Sequence, residues 1–325
     1  MTSPAGSHLR GALLSLAAFG VYATHDAAVK FLGGSYSPLQ IIFFSTLLSF
    51  PLVTIMLMRD PTDGNLRPRH PWWVAARTGA AIVTTVAAFY AFSVLTLAQA
   101  YAIFFSMPLM ITLLAIPLLG ERVGPRRGMA VVAGLAGVLI VLRPGSAPIG
   151  LGQVAALVAA TTGAFVSVVV RKIGQDERSA VIMLYPMVAN FIFAAAILPF
   201  VYRPMPFAHL ALLGLMSALG FAGGLFIIAA YRRAPAVVVA PMQYSQILWA
   251  ALYGTLFFRE RLDLWTAVGT AIIILSGVYI VLREDSPRVS KNRPVLATQG
   301  RAETGIFPRL LGRIAPRDRS RGEGS

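Results

Sequence analysis

The chain has 325 residues, of which 57% are hydrophobic and only 13% charged, with a mean hydropathy of +0.71. A soluble domain carries roughly twice that share of charge, so a water-soluble globular protein is excluded. A formal net charge of +15 invites a nucleic-acid partner, whereas the lack of cysteine excludes a disulfide framework, a thiolate metal site and a cysteine nucleophile.

In chain order, apolar runs of about 20 residues follow one another, the length a helix needs to cross ~30 Å of hydrocarbon. They predict ten transmembrane helices near residues 11–32, 38–58, 73–95, 98–119, 125–142, 152–171, 179–201, 208–231, 236–257 and 263–282. Alternating strands of barrel length do not occur, so the class is all-α integral membrane. The first run follows Arg10 as a signal peptide would. It contains His25, Asp26 and Lys30, however, and has no small-residue cleavage site, so it is read as a retained span.

The basic residues orient these spans. With the N-terminus in the cytoplasm, that side holds Arg10, Arg59, Arg67, Arg69, Arg77, Arg122, Arg126, Arg127, Arg171, Lys172, Arg178, Arg232 and Arg233. The other side receives Arg143, Arg203, Arg259 and Arg261, with Lys30 near the outer end of its span. This is the positive-inside bias. Both termini are therefore expected in the cytoplasm of a bacterial inner-membrane protein, and most of the positive charge encodes orientation, not nucleic-acid binding. Residues 284–325 are polar and Arg-rich, and are expected to form a basic, mostly disordered cytoplasmic tail. Within it, Ile306 to Ile314 alternates apolar and basic residues and is either solvated or laid on anionic membrane lipid.

The core is stated twice at an offset of about 140 residues. The segment from Gly11 through Lys30 and Gly33 is answered by Gly152 through Arg171 and Gly174. Leu119-Gly-Glu-Arg122 with Gly137 to Arg143 is answered by Phe258-Arg-Glu-Arg261 with Gly277 to Arg283. Two units with an odd number of spans face opposite ways. The loops agree: the uncharged 96–99 turn corresponds to the 231–235 turn that carries Arg232 and Arg233. Two inverted five-helix repeats, 11–143 and 150–283, are expected, an arrangement used for carrying solutes across bilayers.

At this point the chain resembles the drug/metabolite transporter superfamily, in particular its two-repeat EamA-domain proteins. The resemblance rests on Ala100-Tyr-Ala-Ile-Phe-Phe-Ser-Met-Pro-Leu109 through Glu121 and on Ala240-Pro-Met-Gln-Tyr244 through Glu260, and covers about residues 11–283. It implies the EamA fold, with the first, third, fourth, sixth, eighth and ninth spans lining a central cavity. Two departures stand out. Arg259 replaces the glycine of the usual Leu-Gly-Glu, and Pro108 has no counterpart in the second repeat, where Ile247 stands instead, so the fourth and ninth spans are not expected to bend alike.

In the first span, Tyr22, His25, Asp26 and Lys30 share one helical face. A charge at membrane depth costs about 2.5–3.5 kcal/mol and needs a partner or water. Asp26 and Lys30 stand at i and i+4 and are expected to pair. Two readings stay open: an ion pair that orients the span, or a cavity carboxylate that binds substrate or exchanges a proton. The sixth span carries Val166, Ser167 and Arg171 at the equivalent positions, so only the first repeat offers a carboxylate there.

The ninth span adds Gln243, Tyr244, Gln246 and Trp249, either as cavity lining or as interhelical glue. The fourth adds Tyr101, Phe105 and Ser106, and the third Tyr90. Such a lining suits a neutral or zwitterionic, partly aromatic solute better than a multiply charged phosphate. Glu121 and Glu260 are expected to be architectural, each capping the helix that follows it, while Pro108 and Pro241 mark kinks.

Metalloprotease, P-loop and nucleophile-elbow motifs are absent, and no catalytic residue, metal or cofactor is expected. The function expected is secondary transport of a small organic solute by alternating access, with coupling to a proton left open. Direction stays open between export of amino acids or other metabolites and uptake of a vitamin or S-adenosylmethionine. A non-transporting membrane scaffold built on the same fold is the alternative.

Overall fold

The computed structural model describes residues 4–58, 66–121, 123–144, 149–174 and 176–285. Arg59, Arg122 and the expected tail from residue 286 onward, with its 306–314 segment, lie outside the described residues. The elements are α1 (Pro4–Gly33), α2 (Pro38–Met58), α3 (Pro71–Val94), α4 (Leu97–Phe104), α5 (Met107–Leu119), α6 (Pro125–Leu142), α7 (Leu151–Ile173), α8 (Ser179–Val201), α9 (Phe207–Tyr231), α10 (Ala236–Val239), a 3-10 segment (Ala240–Ser245), α11 (Gln246–Phe258) and α12 (Leu264–Asp285). Proline opens α1, α2, α3 and α6, where its missing N–H belongs to the helix end and deprives no carbonyl of a partner.

By length and composition, eight helical segments among the described residues can cross a membrane, with α4 and α5 together making one of them. The other two of the ten expected spans differ in kind. The apolar Pro38–Leu52 part of α2 is shorter, and the ninth is divided into α10, the 3-10 segment and α11. The all-α class expected from the sequence is present.

Packing exchanges the two halves. Helix α1 lies along α9, and α3 lies along α7; α6 packs on α12, and α2 on α8. Swapping α1 with α7 and α3 with α9 turns each of these contacts into another. The α6–α12 crossing is close because Gly137 and Gly269 face each other's carbonyls, at 2.9 and 2.7 Å from where a Cβ would stand. Ser276 adds a hydrogen bond to the Ala130 carbonyl across the same interface.

The fourth and ninth spans are both interrupted, at matching depth and by different geometry. In the first repeat α4 stops at Phe104 and α5 restarts at Met107, with Pro108 in its first turn. In the second repeat a full 3-10 segment intervenes, with Pro241 near its start. Irregular backbone at membrane depth is tolerated only inside protein or along a wet cavity. Here the first break is buried: Ser106 is fully covered, and its hydroxyl donates to the Ile103 carbonyl at 2.6 Å.

Both spans end in the same left-handed turn. Gly120 has φ 68° and Arg259 has φ 54°. The following amides close the helix end alike, Glu121 N–H to the Ala115 carbonyl at 3.3 Å and Glu260 N–H to the Gly254 carbonyl at 2.8 Å. The replacement of glycine by Arg259 therefore leaves the turn in place, at the cost of a left-handed conformation in a residue with a Cβ. Since Arg259 is exposed, Arg259→Gly is expected to stabilise the protein by roughly 1 kcal/mol, read as a higher midpoint in SDS unfolding.

Candidate functional site

Asp26 sits at the centre of the helix bundle with 1% of its surface exposed. Its partners come from its own helix and from the interrupted spans. Oδ1 lies 2.8 Å from Nδ1 of His25, and Oδ2 accepts a hydrogen bond from the Tyr101 hydroxyl at 2.5 Å. Gln246, the first residue of α11, reaches that hydroxyl with its Nε2 at 3.4 Å. The His25 ring meets Phe89 of α3 edge-on, with 6.3 Å between centroids. Thus α1, α4 and α11 meet at one carboxylate, walled by α3.

Aromatic side chains extend this cluster. Tyr101 stacks on Phe105 at 6.0 Å and 21°, and Phe105 meets the edge of Tyr244 at 5.0 Å. The Tyr244 hydroxyl lies against Gly277 of α12, where any side chain would collide with it. Ser245 Oγ is buried beside the break without a hydrogen-bond partner. On the other side of α1, Gly223 of α9 leaves room for the Tyr22 ring, and Gly20 leaves room for Trp249. Trp249 stacks on Tyr253, whose hydroxyl shares a 2.8 Å hydrogen bond with Thr24. Tyr90 and Gln243 are half-buried.

Three expectations are corrected. Lys30 does not serve as the i+4 partner of Asp26. Its ammonium pairs with Glu260 at 2.8 Å, donates to the Leu95 carbonyl and lies 5.3 Å from the centre of the Phe258 ring. Asp26 is served instead by groups that reach the bundle centre, whereas Lys30 lies at the helix end. Glu260 does not cap α12, because Asp263 does so, accepting from the amides of Trp265 and Thr266 at 3.0 Å each. The second oxygen of Glu260 accepts at 3.0 Å from the Leu97 amide, at the start of α4 in the other half. Likewise Glu121 reaches Arg171 of α7 at 2.5 Å instead of capping α6, whose N-cap is Gly124. The left-handed turn aims each glutamate across the bundle, which sequence spacing alone does not reveal.

Of the residues read from the sequence as cavity candidates, Tyr22, His25, Asp26, Tyr101, Phe105, Ser106, Tyr244 and Gln246 are buried, and Trp249, Lys30, Tyr90 and Gln243 are half-buried. The sequence reading passed over Thr24 as a partner, and it treated Arg171 only as an orienting charge. The pairing of Thr24 with Tyr253 spans 229 residues. A small hydroxyl residue in an apolar helix gives no signal of such a partner.

The sequence profile of the EamA-like transporter family matches this chain twice, over residues 9–143 and 150–283. The chain is 28% identical over 225 residues to the riboflavin transporter of Rhizobium johnstonii, covering 67% of this chain and 73% of that protein. It is 21% identical over 287 residues to the S-adenosylmethionine uptake transporter of Rickettsia prowazekii, covering 88% and 97%. It is 25% identical over 273 residues to the pseudopaline exporter CntI of Pseudomonas aeruginosa, covering 82% and 94%. A protein of known crystal structure, 18% identical, superposes with a TM-score of 0.56 over 87% of this chain and 99% of its own, a likeness of fold.

The Tyr101–Asp26 contact is a hydrogen bond to a buried carboxyl. Tyr101→Phe is expected to destabilise the protein by roughly 1.5–3 kcal/mol. The double variant Tyr101→Phe/Asp26→Asn should lose less than the sum of the two single variants. SDS unfolding of all four forms measures that coupling.

Proposed function

Matched by the family profile over both of its halves, the chain belongs to the EamA-like transporter family and is a multi-pass membrane transporter of small solutes; from that premise we propose that it works by alternating access, with Asp26 carrying an exchangeable proton. The two matched segments correspond to repeats 11–143 and 150–283, inverted relative to each other, with the solute bound where they meet. The membrane is the inner membrane of a bacterium. Both termini lie in the cytoplasm, and the Lys30 end of α1 lies on the opposite face. The basic tail then lies on the cytoplasmic side, within reach of anionic lipid.

The observation that carries this reading is the burial of Asp26. A carboxylate at that depth is expensive as an isolated charge, and its neighbours offer both a proton donor, Tyr101, and a second titratable group, His25. Taking up a proton removes the charge, so the carboxyl can change its surroundings during the cycle. The equivalent positions in α7 are Val166 and Ser167, which cannot do this.

The solute is neutral or zwitterionic, with a flat unsaturated part. Tyr101, Phe105, Tyr244 and Trp249 offer ring faces and edges, while Gln246 and Ser245 offer hydrogen bonds. Riboflavin, the named cargo of one relative, is neutral and has such a ring; S-adenosylmethionine, that of another, shares the flat ring but carries a net positive charge on its sulfonium, and the pseudopaline exporter is a relative named for export. Direction is therefore a property to be measured, and a transport role, not catalysis, accounts for the site.

The test is flux of a labelled panel of flavins, S-adenosylmethionine and amino acids in proteoliposomes, with and without a pH gradient. Wild type is expected to move at least one solute faster with the gradient. Asp26→Asn should lose that acceleration while retaining exchange of the same solute. Acceleration unchanged in Asp26→Asn removes the proton role, and no flux of any solute in wild type favours a scaffold.

A further inference from the structure

The two ion pairs formed by Glu260 and Glu121 occupy the same place in the two halves. Lys30 and Arg171 are equivalent residues of the first helix of each repeat, and Glu260 and Glu121 are equivalent residues just after the fourth span. Each pair crosses from one repeat to the other: α1 to the end of α11 at 2.8 Å, α7 to the end of α5 at 2.5 Å. They stand at opposite ends of the bundle. Helix α3 runs antiparallel to α7, with Val74 packed against Val169 and Ile173 near its start and Val94 beside Gly152 near its end. The Lys30 pair lies at the latter end, bonded to the Leu95 carbonyl, and the Arg171 pair lies at the former.

From this duplication we infer that the two pairs are the reciprocal gate latches of the transport cycle, each of which opens when the other is closed. The inference rests on the alternating-access reading above and names the residues that enforce it. Both latches are closed in this structure, so the Asp26 cluster is sealed at both ends, in agreement with the 1% exposure of Asp26 and the 3% exposure of Tyr101.

The chemistry suits a reversible contact. An ion pair removed from water gains Coulomb attraction and loses hydration, and the two nearly cancel. Opening a face readmits water to both partners, so the open and closed states stay close in free energy. An apolar plug would lose on opening all the hydrophobic stabilisation that it gains on closing. The left-handed turns at Gly120 and Arg259 hold the glutamates on the span ends, so a rocking of one repeat against the other separates each glutamate from its cation.

The latches are unequally satisfied. Lys30 has the Glu260 carboxylate, the Leu95 carbonyl and the Phe258 ring, and Glu260 also accepts from Leu97. Arg171 keeps Nη1 buried without a partner. The Arg171 latch is therefore the looser one, and the face it closes opens first.

Single thiols report on this directly, because the native chain has no cysteine. Ala27→Cys stands one turn inward of Lys30, and Val168→Cys one turn inward of Arg171. Each reporter would be combined with Glu260→Gln or Glu121→Gln, which remove the charge and keep the side chain's shape and a hydrogen-bond acceptor. Labelling in oriented vesicles with a membrane-impermeant maleimide is expected to rise at least three-fold for the Ala27→Cys thiol in Glu260→Gln, from the Lys30 face, and to fall for the Val168→Cys thiol from the other face. Glu121→Gln should do the reverse. Labelling that is unchanged, or that rises at both reporters in either variant, overturns the inference, since the pairs then act as static struts. The charge exchange Arg171→Glu/Glu121→Arg should restore the wild-type labelling pattern, and its failure to do so in a monodisperse, folded sample also counts against the latches. Because labelling needs no solute, a failure to find flux in proteoliposomes and a failure of the latches remain separate results.

Discussion

A carboxyl group buried inside a bundle of membrane-spanning helices constrains everything placed around it. Asp26 is fully covered, and a charge at that depth costs about 2.5–3.5 kcal/mol unless it is partnered or neutralised. Its partners cannot be supplied by α1 alone, because a helix aims only one face toward the bundle centre. They are supplied by His25 beside it, by Tyr101 from α4, and by Gln246 behind Tyr101. The position of α4 and α11 against α1 follows from that requirement. The interruptions after Phe104 and at Ala240–Ser245 fall where these spans approach Asp26.

Those interruptions are covered by protein. Broken helices in hydrocarbon leave backbone groups without partners, and lipid offers none. In the first repeat the gap is closed locally, by the Ser106 hydroxyl and a short turn before Pro108. In the second a longer 3-10 stretch closes it and leaves Ser245 buried without a partner. The two repeats thus share a plan and differ in its execution. The difference falls around the Asp26 cluster, where one unit supplies the carboxyl and the other a buried hydroxyl, Ser245, without a hydrogen-bond partner.

Much of this was legible in the amino-acid order. Runs of apolar residues, the basic bias of alternate loops and the duplicated segments give the helices and the two-repeat plan, because each depends on local chain properties. His25, Asp26, Tyr101 and Gln246 could be singled out because polar residues in apolar helices need a reason to be there. The destination of the glutamates was not legible. Glu121 and Glu260 follow helix ends and precede helices, so the nearest explanation by sequence is a cap. Their actual partners, Arg171 and Lys30, lie 50 or more residues away and become neighbours only when two inverted units interlock. The expected Asp26–Lys30 pairing failed for the same reason: helical spacing identifies residues that can meet, and the tertiary partners decide which do. The span count was limited by α2 and the ninth span, where a shorter apolar stretch and a 3-10 segment depart from a single long helix.

The placement of the first-helix residues ties the central site to the ends. Asp26 and Lys30 are one turn apart on α1, a rigid helix whose displacement moves both together. In the proposed cycle a change at Asp26, whether a proton arriving or a solute displacing Tyr101, acts on Lys30 through a lever with no joint between them. In α7 the corresponding lever has Arg171 at its end and Ser167 where the carboxyl would be. It can transmit a movement but has no charge of its own to sense. In the proposed cycle latching is thus built on both sides of the bundle, and sensing on one. Beside the different breaks and the unequal ion pairs, the two copies differ at this point by one side chain, aspartate in the first and serine in the second, so the proposed proton has a seat in the first copy and not in the second.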